Sequence, residues 1–140
     1  MESAEIANGF GNKRIVYSSH SELAHVLREH GELDEPLEIY RDLLPKWKDL
    51  GHRPAVAHEL ECIAFILSKK GKTERAAQLL GAAEALREKS DSTMTTIEQA
   101  EYEKEVSALQ EKMDAVDLEK AWSEGRGMSM DEAIENALRE

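Results

Sequence analysis

Between Arg53 and Lys89 the chain carries two apolar helical patterns separated by a tight break at Gly71. Val56, Leu60, Ile63, Ala64 and Leu67 recur at three- and four-residue spacing, the period of one helix face. Ala55, Cys62, Phe65 and Ile66 widen that face into a stripe, as expected of a helix with neighbours on more than one side. Pro54 suits a first helical turn, where its missing N–H is no loss. Gly71 suits the left-handed conformation that closes helices. Beyond it Ala76, Leu79, Leu80, Ala83 and Leu86 form a second pattern rich in small residues. Gly81 lies within it, and the reading is close approach by another helix rather than a hinge. The two patterns predict an antiparallel helix pair, and with it an all-α fold.

The flanking sequence extends this architecture. A helix is expected from about Lys13 to His30, with Val16, Leu23, Val26 and Leu27 inward and Gly31 ending it. Asp34 is a candidate N-cap with Pro36 in the following first turn. Leu37, Tyr40, Leu43, Leu44, Trp47 and Leu50 continue inward, and Gly51 closes the element. Pro45 predicts a kink or early stop. Ser90 to Thr96 reads as a polar linker. Thr95 with Glu98 and Ser129 with Glu132 have capping-box spacing. They open a helix from about Thr96 to Asp114 and a final amphipathic helix holding Met130, Ala133, Ile134, Ala137 and Leu138. A short helix between them holds Leu118, Ala121 and Trp122 and ends near Gly125. Trp122 is expected to be buried against the Thr96–Asp114 helix, near Tyr102. The domain division is 1–11 as a flexible N-terminal segment, 12–89 as two helix pairs, and 90–140 as linker and capping helices of the same domain.

Composition narrows the function classes. A net charge of −11 predicts no direct nucleic-acid contact by this chain, because phosphate binding needs a basic surface. The single cysteine, Cys62, has no internal partner and reads as a buried thiol. No membrane-spanning run or signal-peptide pattern occurs, so a cytoplasmic protein is expected. Gly71-Lys72-Thr73 has the tail of a phosphate-binding loop, but Ile66 stands where the loop needs its first glycine. His58 and Cys62 are one helical turn apart, yet no third metal ligand accompanies them. His20, His25 and His30 are spaced to spread around a helix. The sequence thus indicates no catalytic residue, no metal, no cofactor and no enzyme.

Gly31 and Gly71 lie 40 residues apart. Leu23, Ala24 and Leu27 precede the first as Ile63, Ala64 and Leu67 precede the second. Pro36, Tyr40 and Leu43 follow the first as Ala76, Leu80 and Ala83 follow the second. This pattern resembles the tetratricopeptide repeat (TPR), whose period is about 34 residues. Pro36 departs from the usual alanine and His20 from the usual large aromatic. A second resemblance covers roughly Ile15 to Leu138. The strings L-L-P-K-W-K-D-L-G-H-R-P, G-K-T-E-R-A-A-Q-L-L-G-A-A-E-A-L-R-E, Glu101-Tyr102-Glu103 and A-W-S-E-G-R-G-M-S-M-D-E-A-I together resemble the C-terminal TPR region of large bacterial signalling ATPases. These include LuxR-type and SARP-type transcriptional regulators. The resemblance implies an α-solenoid arm with a sensory or scaffolding role, its ATPase and DNA-binding parts lying elsewhere.

In such arrays the first helices of successive pairs line a concave surface. The resemblance places Ser18, Ser21, His25 and Arg28 on it from the first pair, and His58, Glu61, Phe65, Ser68 and Lys69 from the second. A protein or peptide partner anchored on Phe65 is the first reading. A small-ligand sensor using the same groove is the alternative, and packing of this face on the C-terminal helices is the structural one. The first helix leaves Ile15, Val16, Tyr17, Leu23 and Val26 without a preceding repeat, which predicts a homodimer through the first helix pair.

Overall fold

The computed structural model describes the backbone of residues 9–139 and the side chains of residues 12–139. Seven helices follow in order: α1 (Gly9–Glu29), α2 (Asp34–Asp49), α3 (Arg53–Lys69), α4 (Thr73–Ser90), α5 (Thr96–Lys112), α6 (Ala115–Arg126) and α7 (Met130–Leu138). No strand occurs among the described residues, and the fold is all-α. Each of α1 to α3 packs on the next, and α4 packs on α6 as well.

One device ends the first four helices. Gly31, Gly51 and Gly71 take φ of 89°, 74° and 85°. After each, a backbone N–H returns to the carbonyl five residues back: Glu32 to Leu27 at 3.1 Å, His52 to Trp47 at 3.0 Å, Lys72 to Leu67 at 2.8 Å. This closure satisfies carbonyls that a helix end leaves bare. Asp91, at φ 52°, performs the same turn at the end of α4, with Ser92 N–H on Arg87 O at 3.0 Å. Aspartate is among the few residues that tolerate this conformation. The supposed linker therefore begins with a helix stop, 20 residues after Gly71.

The core centres on α3, where every residue from Glu59 to Ser68 is buried. Leu60, Ile63 and Leu67 meet a core that includes Tyr40, Leu43 and Leu44 from α2 and Leu79 and Leu80 from α4. Each such side chain contributes roughly 1.5–3 kcal/mol by leaving water. α7 adds Ala133, Ile134 and Ala137. Its last turn is held by Arg41, which donates to the Ala137 carbonyl at 2.8 Å, and by Arg75, which donates to the Asn136 carbonyl at 2.6 Å. Both capping boxes form, through Thr95 with Glu98 and Ser129 with Glu132.

α6 seats on α4 at a backbone crossing. A methyl group on Gly81 would stand 2.1 Å from the Trp122 carbonyl oxygen, and one on Gly125 would stand 1.8 Å from the Gln78 carbonyl oxygen. Neither position has room for a side chain. This crossing corrects the expected burial of Trp122 against α5. Trp122 is half-buried, donates its indole N–H to Glu84 at 3.1 Å, and faces Tyr102 across a cleft of about 650 Å³. α5 itself buries only Glu105 and Leu109.

Other local expectations also change. α1 includes Gly9 and Gly11 and so starts four residues before Lys13; Met1 to Asn8 lie outside the described residues. Asp34 is the first residue of α2 rather than its cap, and it pairs with Lys70. Pro45 does not stop α2, which runs to Asp49. It sits on the solvent side, where a freed carbonyl can be hydrated. Val16, Leu23 and Val26 are not inward but exposed. α1 packs chiefly on α2, and its inner face consists of Tyr17, Ala24 and Arg28.

Candidate functional site

The residues expected on one concave face divide into two groups. Arg28, Phe65 and Ser68 lie beneath α5. Arg28 is 5% exposed, and its guanidinium donates to both oxygens of Glu101 at 3.1 Å. It also donates to the Tyr40 hydroxyl at 3.4 Å and stands 5.5 Å from the centre of the Phe65 ring. Phe65 is buried and meets Tyr102 edge-on, with ring centres 6.5 Å apart. Lys112 donates to the Ser68 carbonyl at 2.9 Å, and Lys69 pairs with Glu105 at 3.7 Å. Glu61 is buried in a two-pronged pair with Arg87, at 2.6 and 2.9 Å.

Ser18, Ser21, His25 and His58 instead border a cleft of about 620 Å³ that α5 does not fill. Its walls come from α1, α3, the start of α5 and the α2–α3 turn. His25 accepts from Arg28 at 3.1 Å and pairs with Glu29 at 2.7 Å. His58 pairs with Glu98 at 3.2 Å and lies 3.6 Å from the Cys62 sulfur. The Cys62 sulfur, together with Glu98 and Glu59, holds the His58 imidazole well above its ordinary value despite burial. The hydrogen bond from His58 draws Glu98 well below the usual carboxylate range. Charge on both partners is mutually supported.

The floor of this cleft holds residues absent from the expected face. Glu59 is 1% exposed. Ser21 donates to its Oε1 at 2.8 Å, while Oε2 has no partner. Burial pushes its carboxyl up to about 7, against the lowering effects of His58, the Ser21 hydrogen bond and Arg28. Trp47 is also buried, with its Nε1 unpartnered, and packs between Tyr17 and His52 at ring distances of 5.3 and 5.1 Å. The sequence did carry a signal for Glu59: Ala55, Val56, Cys62 and Ile63 flank it three and four residues away. A carboxylate inside an apolar stripe is buried with it. Among the described residues, no group of three or more His, Cys, Asp or Glu side chains is placed to hold a metal ion. No described helix is long and apolar enough to cross a membrane.

Over 80 residues the chain is 39% identical to proteins named "Putative HTH-type transcriptional regulator" in two strains of Mycobacterium tuberculosis and in Mycobacterium bovis. The matched stretch is 57% of this chain and 9% of each relative. No protein-family model matches the chain, and no solved structure matches it. The relatives are bacterial and are named as regulators, not as enzymes. They overturn the expectation of no direct nucleic-acid contact, since a helix-turn-helix regulator seats a helix in the DNA major groove. A charge summed over the whole chain does not describe any one helix face, and so was no basis for that exclusion.

Proposed function

We propose that this chain is a regulatory, protein-interacting module of a larger transcription regulator. In this reading residues 12–89 are two TPR-like helix pairs and residues 90–140 cap them within one domain. The observation that carries it is the unpartnered apolar face of α1. Ile15, Val16, Leu23 and Val26 are 66%, 47%, 50% and 48% exposed. At about 100° per residue they share roughly a quarter of the helix circumference. In a stack of helix pairs, the outer face of a first helix is what the neighbouring pair covers. The matched stretch is 9% of the relatives' length, so in those proteins it has abundant neighbouring polypeptide. α1 is the docking face of the module, and Ser18, Ser21, His25 and His58 are the accessible part of its concave side.

Sedimentation equilibrium across the micromolar range tests this reading. With its docking face open, the isolated chain should self-associate, and Leu23→Glu should abolish that without lowering the thermal midpoint. A monomer at every concentration, indifferent to Leu23→Glu and Val16→Glu, would overturn it.

A further inference from the structure

Trp47 Nε1 and Glu59 Oε2 are buried polar atoms without partners, and both residues border the same cleft. Native interiors rarely leave such atoms unsatisfied. Their needs are opposite: the indole N–H requires an acceptor, and the carboxylate oxygen requires a donor. A third mismatch lies beside Trp47. His52 Nδ1 accepts from the Ala55 N–H at 3.1 Å, which leaves the proton of the neutral ring on Nε2. Arg14 Nη2, which can only donate, stands 3.2 Å from that Nε2. Two donors therefore face each other with no acceptor between them.

The cleft is thus polarised. Arg14, His52 and Trp47 offer donors at one end, and Glu59 with Ser21 offers a carboxylate at the other. Of the other carboxylates lining the cleft, Glu29, Glu98 and Glu101 have His25, His58 and Arg28 as partners, and Glu22 is exposed to solvent. Glu59 has a hydrogen bond from Ser21 alone. From His52 to Glu59 is seven residues, about 10 Å along a helix at about 1.5 Å per residue. Extended peptide covers roughly 3.3–3.6 Å per residue, so two or three residues bridge it. The volume of about 620 Å³ lies within the roughly 300–1,000 Å³ of small-molecule sites.

We propose that this cleft binds a free-ended di- or tripeptide, its carboxylate on Arg14, His52 and Trp47 and its ammonium on Glu59. Binding displaces the exposed Arg14 guanidinium from its donor-to-donor contact with His52. The carboxylate then serves both groups and the indole. The inference stands apart from the α1 docking face, and the two fail independently.

Isothermal titration calorimetry on the full chain tests it, with trialanine, its N-acetylated and C-amidated forms, and free alanine as probes. Trialanine should bind, and blocking either end should weaken binding at least tenfold. Glu59→Gln should bind trialanine and its N-acetylated form alike. Arg14→Ala should bind trialanine more weakly and discriminate less against its amide. Arg14 is exposed, so this second variant keeps the test valid if Glu59→Gln disturbs the fold. No binding of trialanine at about 10 mM, a level that reveals even millimolar affinity, would overturn the proposal. So would equal binding of the blocked peptides by the unaltered chain, wild-type behaviour of both variants, or free alanine binding as tightly as trialanine.

Discussion

Replacing Gly81 by alanine sets two effects against each other, and the structure decides which wins. In an exposed helix, alanine is worth about 1 kcal/mol over glycine. At Gly81 the new methyl would lie 2.1 Å from the Trp122 carbonyl oxygen and 2.9 Å from its carbon. The obstruction is backbone, so no side-chain rotation relieves it. Restoring ordinary contact near about 3.4 Å requires α6 to move off α4 by about 1 Å. A gap of that size forfeits a quarter to a half of the dispersion energy of the contacts it opens. Overpacking of this kind costs about 3 kcal/mol at the upper end of its usual range. After the propensity gain, Gly81→Ala should lower stability by about 2 kcal/mol, or the thermal midpoint by about 6–10 °C. Urea melts followed by circular dichroism would measure it. Gly127→Ala is the control, because its methyl meets nothing closer than 3.5 Å; it should stay within about 0.5 kcal/mol. Gly125→Ala opens the same crossing, so the double variant should cost less than the two single costs added. A Gly81→Ala protein as stable as the parent would refute the backbone contact.

The Glu59 carboxyl is held at about 7 when folded, against an ordinary value of 4.5. A carboxyl with a raised folded value keeps its proton better in the native state, so its contribution is most favourable below about 4.5 and declines as pH rises through about 7. The decline is at most about 3 kcal/mol. Glu59→Gln should flatten the stability profile between about pH 5 and 6.5, below the range where loss of charge on His58 adds its own decline; parallel profiles for the two proteins would reject this. Arg28→Met should cost about 3 kcal/mol in urea melts, because it removes charged hydrogen bonds from a buried position; a cost under 1 kcal/mol would show that Glu101 and Tyr40 find other partners.

The helices of this chain were legible because each obeys a local rule. Three- and four-residue spacing located α3 and α4, glycines marked three of the helix ends, and Ser/Thr–Glu pairs opened α5 and α7. Asp91 escaped notice because its left-handed turn is a role usually given to glycine or asparagine. The seat of α6 was only half legible. Gly81 announced a close approach, but helical periodicity names a buried face and not the helix that covers it. The candidate site was legible as a face and not as a cleft. Phe65 reads as an anchor from its position, yet Arg28 and Tyr102 cover it, and no periodicity encodes where a later helix will lie. The burial of Glu59 was legible from its apolar neighbours at three and four residues, but the helical period says nothing of which partners a buried acid finds, so its unpartnered oxygen was not.

The thin seating of α5 divides the molecule into units of unequal cooperativity. α3 and α4 share the buried core, so their amides should open only with the whole fold. α5 buries two residues and is fastened largely by Arg28–Glu101, His58–Glu98 and Lys69–Glu105. Partly exposed ion pairs weaken as salt rises. α5 should therefore open as a foldon of its own, with an opening free energy tied to ionic strength. Because Ile97, Glu98 and Glu101 form one wall of the cleft, that wall can detach while the opposite walls stay folded. The recess is then a seam between a rigid unit and a labile one, and whatever fills it joins their stabilities.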